Sequence, residues 1–161
     1  MPLTNLFNKY AVENFLKKQP EPDQARIALE AFYENTPSVQ GIRVNDEFLI
    51  IDRSVLGFHI LHTSDIAWVY PKRLNMKLYG VIPTGGFNSM VFRTRSGQEH
   101  PAVVATKGAS EELYKYLYTR IPGAVFGYSE ELARVWNESI KGGHETWDKL
   151  ARAQHMMRST V

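Results

Sequence analysis

The sequence predicts an α+β fold: an antiparallel sheet or partly open barrel of six to seven strands closed by a helix, with a helical hairpin before it and helices after it. Three observations predict it. From Phe48 to Thr106 the chain leaves helical spacing for short runs rich in β-branched and aromatic residues. Turn residues punctuate those runs, notably Asn45-Asp46, Thr63-Ser64, Thr84-Gly85-Gly86 and Arg95-Ser96-Gly97. A helical pattern returns at Ala109.

Thr4 or Asn5 caps a first expected helix reaching Lys18, with Leu6, Phe7, Tyr10, Ala11, Phe15 and Leu16 on one face. Gln19-Pro20-Glu21-Pro22 ends it, because proline lacks an amide donor and restricts its predecessor. A second helix opens at Asp23 and runs to Asn35, with Ile27, Ala28, Ala31 and Phe32 as its stripe and Leu29 and Tyr33 to one side. This hairpin needs a surface on which to lay its apolar faces.

Strands are expected at Ile42–Val44 and Glu47–Asp52, then at Phe58–His62. Ile66–Tyr70 follows, with Trp68 and Tyr70 on one face and Ala67 and Val69 on the other. Pro71–Lys77 reads as a connection, Leu78–Ile82 as a strand with Gly80 at a bulge, and Thr84–Gly86 as a loop. Asn88–Thr94 and His100–Thr106 form a hairpin. Ser110 caps a helix carrying Leu113, Tyr116, Leu117 and Ile121 inward, and Pro122-Gly123 stops it. After the apolar link Ala124–Tyr128, Ser129 opens a helix with Leu132, Val135 and Trp136 buried. Gly142-Gly143 breaks it, and a more polar helix spans His144–Arg158. One domain over 1–161 is the economical organisation: a helical hairpin at 1–37, a sheet-and-helix core at 42–121 and a helical extension at 124–161.

The succession of short antiparallel strands and a closing amphipathic helix from Phe48 to Ile121 resembles bacterial members of the pleckstrin-homology-like superfamily. Ser64–Tyr70 looks like the strand that begins their second sheet. Met90–Gly97, Val103–Thr106 and the Glu111–Arg120 helix look like their closing elements. The resemblance implies a binding habit without naming a ligand.

Composition sets outer bounds. Length (161 residues), apolar share (43%) and charged share (22%) are those of a globular domain with its own core. The absence of cysteine excludes disulfides, thiolate metal sites and cysteine nucleophiles. A net charge of +2 without a concentrated basic stripe argues against nucleic acid. The N-terminus lacks a leader pattern and no apolar run reaches membrane-spanning length, so a cytoplasmic protein is expected.

No catalytic pattern emerges. His59 and His62, three apart on a strand, point to opposite faces, and His100, His144 and His155 lack ligand spacing, so no metal and no cofactor are assigned. Ser89 reads as a turn residue, and Asp52, Asp65 and Glu47 as surface carboxylates. Lys72, Arg73 and Lys77 on the connection, extended by Arg93 and Arg95, form a candidate anion- or partner-binding patch; solvated charge guarding a sheet edge is the competing reading. Tyr114 and Tyr118 flank the closing helix as candidate contact aromatics, unless the Ala124–Trp136 segment or the N-terminal helices cover them.

The leading functional expectation is a non-enzymatic interaction module recognising a protein, or a second copy of the chain, through a sheet edge, the aromatics or the added helices. An immunity or inhibitor protein that neutralises a toxin is the alternative. Another is a small-ligand binder or enzyme with a pocket between sheet and N-terminal hairpin, lined by His62, Trp68 and Tyr70. Membrane-surface binding through Lys72, Arg73 and Lys77 is the least favoured.

Overall fold

In the computed structural model, which describes residues 8–54, 57–78 and 82–159, two β layers enclose one helix and carry further helices on their outer faces. Strands β1 (Ile42–Val44), β2 (Phe48–Ser54) and β3 (Gly57–His62) form an antiparallel meander. Strands β4 (Ile66–Leu78), β5 (Ile82–Thr94), β6 (Glu99–Val104) and β7 (Val125–Phe126) form the second layer, in the order β6-β5-β4-β7. The end of β2 runs past β1 to pair Ser54 with Ala102 of β6, which joins the layers. Among the described residues the strands do not close into a barrel.

The first turn is built by Asn45, whose Oδ1 accepts the Glu47 and Phe48 amides at 2.9 and 2.8 Å. Between β5 and β6, Gly97 at φ +93° supplies the left-handed residue that a short hairpin loop needs. Helix α3 (Lys107–Arg120) lies against the space between the layers. Leu113, Leu117 and Ile121 fill it with Leu49 and Ile51 from one layer and Val69, Met90 and Phe92 from the other.

Alternate residues on the same strands serve the outer faces. Phe48, Ile50 and Ile60 receive Val12, Leu16, Leu29 and Phe32 from α1 (Lys9–Leu16) and α2 (Pro22–Asn35). Trp68, Tyr70 and Val91 receive Trp136 of α4 (Glu130–Gly142) and Trp147 and Ala151 of α5 (Glu145–Ser159). Both faces are therefore covered along Phe48–Ile51 of β2 and Ile66–Tyr70 of β4, which is why those stretches read as continuous apolar runs.

Several expectations need correction. Pro71–Lys77 is not a connection but the second half of β4, and Thr84–Gly86 is not a loop but part of β5. Arg73 pairs with Asn88, Asn75 with Gly86 and Met76 with Gly85 across this long ribbon. Polar and glycine residues survive in strands here because the pairing supplies backbone hydrogen bonds that local propensity does not. The layer is not wholly antiparallel, since β7 runs parallel to β4.

The cap of α3 is Thr106, whose Oγ1 accepts the Ala109 amide at 3.0 Å, rather than the buried Ser110. Both N-terminal helices are rotated from the expected stripe: Tyr10 and Ile27 are 82% and 70% exposed, while Val12, Leu29 and Tyr33 are buried. The hairpin must fit the curvature of β1–β3, and bulk at Leu29 and Tyr33 suits it better than the small Ala28 and Ala31. Ser89 is no turn residue; it is buried in β5 and donates from Oγ to the Lys72 carbonyl at 2.8 Å. Thr4, Asn5, Leu6, Phe7 and Gly80 lie outside the described residues.

Candidate functional site

A bulge in β4 prepares the site. Ile66 pairs with Thr94 but Trp68 with Arg93, leaving Ala67 as the extra residue. The extra residue puts Ala67 and Trp68 into the same outer cluster instead of on opposite faces, and the Ala67 carbonyl accepts the Trp147 indole N–H at 2.7 Å. Trp68 in turn donates from its indole nitrogen to the Gly127 carbonyl at 2.7 Å, which fixes the segment after β7. That segment presents Tyr128, whose ring stacks on Trp68 at 5.8 Å and 7° and meets Tyr70 at 5.2 Å.

The result is a cleft of about 370 Å³ between the outer face of β4–β5 and α4, walled by Trp68, Tyr70, Tyr128 and Trp136. Ala133 and Asn137 come from α4, while Lys72 and Arg93 stand on the strands. Arg93 donates from Nε to the Tyr70 hydroxyl at 3.3 Å, and its guanidinium carbon lies 6.0 Å from the Trp68 ring centre. Glu99, opposite Arg93 on β6, pairs with Arg93 at 3.3 Å and Lys72 at 3.9 Å. Burial pushes the Tyr70 phenol up, with the Arg93 hydrogen bond opposing, so the ring is neutral and its oxygen is an acceptor for the guanidinium. The Trp136 indole N–H is buried without a partner at this wall. A second hollow of about 450 Å³ shares Pro71 and Tyr128 with the first and continues to Lys107, Glu111, Tyr114 and Lys115 on α3.

The basic patch expected along one loop divides. Lys72 and Arg93 converge on Glu99 although they are not partners in register, Lys72 standing opposite Ser89 and Arg93 opposite Trp68. Arg73, one residue along a strand from Lys72, falls on the opposite face and is exposed, with Asn88 Oδ1 3.5 Å from its guanidinium. Arg95 leaves the patch because β5 ends at Thr94; it makes a bidentate pair with Asp148 of α5, at 2.9 Å for each bond. The Lys77 side chain lies outside the described residues.

Trp68 and Tyr70 do line a cleft, but against the C-terminal helices. The interface with the N-terminal hairpin is filled by Val12, Leu16, Leu29 and Phe32. His62 belongs there, stacked on Phe48 and held by Gln19 at 2.8 Å. Tyr114 and Tyr118 are half-buried against Phe126, at 5.6 and 5.3 Å, so the Ala124–Phe126 segment covers them, and Tyr114 also borders the second hollow. The sequence marks Trp136 as buried, which it is, but assigns no site role to Trp136, Tyr128 or Glu99. Their one signal was that Trp68 and Tyr70, sharing a face, required an aromatic counterpart, and α4 offers Trp136 beside the small Ala133.

Among the described residues no three histidine or acidic side chains gather as a metal cluster. Asp52 pairs with Arg43 at 3.0 Å, Glu47 is exposed at the first turn, and Asp65 lies in a 3₁₀ turn before β4. His59 of β3 and His100 of β6 meet at 5.0 Å where the two layers adjoin, with His59 Nε2 and His100 Nδ1 buried and unpartnered. Burial lowers both pKa values below the ordinary 6.5, and His59 adds repulsion at His100. The unfolded chain takes up protons near that pH which the folded chain refuses, so stability is expected to fall as pH drops below it. Urea midpoints should be lower at about pH 5.5 than at about pH 7.5, and His100→Gln should reduce the difference. Equal midpoints in the wild-type protein would show that the pair is not a pH-sensitive seam.

An α+β domain with an aromatic cleft under a cationic rim is the class that this geometry defines. The chain belongs to the family described as a domain of unknown function (DUF6709), whose model matches residues 7–136 and so ends at the cleft residue Trp136. No curated protein and no solved structure matches the chain.

Proposed function

We propose that the protein is a non-enzymatic interaction module that holds a protein partner in the Trp68–Tyr128 cleft. The observation that carries this reading is the conjunction of aromatic walls, a half-exposed Tyr128 and the cations Lys72 and Arg93 at one open site. The exposed Tyr128 ring, backed by the buried Trp68 and Tyr70, desolvates at small entropic cost, and such rings are enriched in recognition surfaces, while the rim charges orient the partner. No nucleophile–base pair lines the cleft. The succession of six antiparallel strands followed by α3 supports a pleckstrin-homology-like ancestry, and a cytoplasmic bacterial setting is part of the same proposal. Among the described residues no helix is long and apolar enough to cross a membrane.

Affinity capture at low salt provides the test, comparing wild type with Tyr128→Ala and Arg93→Glu. Tyr128 is 58% exposed, so its truncation should leave the fold intact. A partner retained by wild type should be lost by about tenfold or more in each variant, the scale of a binding hot spot. Equal retention by both variants would remove the cleft from the reading, and turnover of a small molecule there would replace the module with an enzyme.

A further inference from the structure

The two hollows flanking Tyr128 differ from a compact ligand pocket. They share Pro71 and Tyr128 as a common wall, so the exposed tyrosine forms a ridge between two compartments of about 370 and 450 Å³. A small rigid molecule fills one compartment. An extended chain crosses the ridge and places side chains in both. Strand addition to the adjoining layer is blocked, because Gln154 occupies the edge of β7: its Oε1 accepts the Phe126 amide and its Nε2 donates to the Phe126 carbonyl, both at 2.8 Å. The chain must then be recognised by its side chains and ring contacts rather than by a backbone ladder.

Charge narrows the class further. On the first rim Lys72 and Arg93 share one carboxylate, Glu99. On the second, Lys107 and Lys115 stand one helical turn either side of Glu111. Each compartment thus carries one cation in excess, favouring an occupant with acidic residues toward both ends. The ring surface offered to an occupant is that of Tyr128, 58% exposed, with the half-buried Tyr114 beside it; Trp68 and Tyr70 lie beneath as a buried support, 1% and 3% exposed. An exposed tyrosine ring packs well against pyrrolidine rings, and a polyproline II segment reaches it already extended, with little entropy left to lose.

From these observations, and resting on the reading of the cleft as a protein-binding site, we infer that the Tyr128 ridge is straddled by an extended, proline-bearing segment of a partner, with acidic residues flanking the prolines. Glu99 then acts as an internal competitor for Arg93 and Lys72. Removing its charge strengthens the attraction rather than weakening it.

Three synthetic peptides of about twelve residues, long enough to span both compartments at about 3.1 Å per residue, are titrated into isotope-labelled full-length protein and followed by amide shifts. One carries a central proline run with aspartates at both ends, one has those prolines replaced by alanine, and one has the aspartates replaced by lysine. The first should move amides bordering both hollows with micromolar to sub-millimolar affinity. The alanine peptide should bind about fivefold or more weakly and the lysine peptide should not bind. Glu99→Gln should tighten the first peptide about two- to fivefold, while Lys107→Glu with Lys115→Glu should weaken it by more. Equal binding of the proline and alanine peptides overturns the inference, as does a shift confined to one hollow or no shift at all. If none of the peptides binds yet Tyr128→Ala still loses the captured partner, the interaction-module reading stands and the proline-segment class falls. If the captured partner ignores the cleft variants, the module reading itself fails.

Discussion

Trp147→Ala is expected to cost about 3–5 kcal/mol of stability, the range for emptying a large aromatic site in a core. Trp147 is fully buried and sits 5.2 Å from Trp68 and 4.8 Å from Trp136, so its removal leaves both cleft tryptophans without a floor. Its indole also answers the carbonyl that the β4 bulge turns outward. Trp147→Phe should therefore cost less, about 1–3 kcal/mol, mostly from the orphaned Ala67 oxygen. Urea unfolding of both variants measures this, and binding to the cleft should weaken alongside stability in the alanine variant. A loss below about 1 kcal/mol for Trp147→Ala would mean that α5 is a loose appendage and not the floor of the site.

The second large effect is expected at Gln154. Gln154→Leu removes the two hydrogen bonds that the side chain makes to the Phe126 amide and carbonyl, at about 1–3 kcal/mol for the pair. Gln154→Glu is the sharper probe. It keeps an acceptor for the amide but sets a carboxylate against a carbonyl oxygen, so it should be no better tolerated than leucine. Because β7 is the end strand of its layer, exposing that edge should also promote self-association, read as a concentration-dependent rise in mass by light scattering. Neutral stability together with a strictly monomeric Gln154→Leu protein would show that the edge is protected by other means.

Sequence reasoning read the short-range order well. The turn at Asn45-Asp46, the hairpin around Gly97, the helix stops at Pro20 and Pro122 and the Ser129 cap are all encoded within a few residues of where they act. It misread the second half of β4 and the first half of β5, where Lys72, Arg73, Asn75 and Gly86 have weak strand preference and are held by the pairing across the ribbon, Lys72 by Ser89, Arg73 by Asn88 and Asn75 by Gly86. It misread the Ala67 face for a related reason: a bulge is a property of two paired strands and leaves no mark in one. The cleft was half legible. Trp68 and Tyr70 were identified as partners on one face, but the choice between N-terminal and C-terminal helices depended on packing between segments some 60 to 80 residues apart.

The sequence by itself determined the α+β class, the two-helix entry, the short turns and the absence of thiol chemistry. Each follows from local propensity, from periodicity or from composition, which act over a few residues or need no geometry. Only the tertiary structure decided that Lys72 and Arg93 meet over Glu99 while Arg95 turns away to Asp148, and that Tyr128 rather than His62 joins Trp68. Those outcomes depend on register, on a one-residue bulge and on which helix covers which face, and such choices are fixed by the free energy of packing distant segments together.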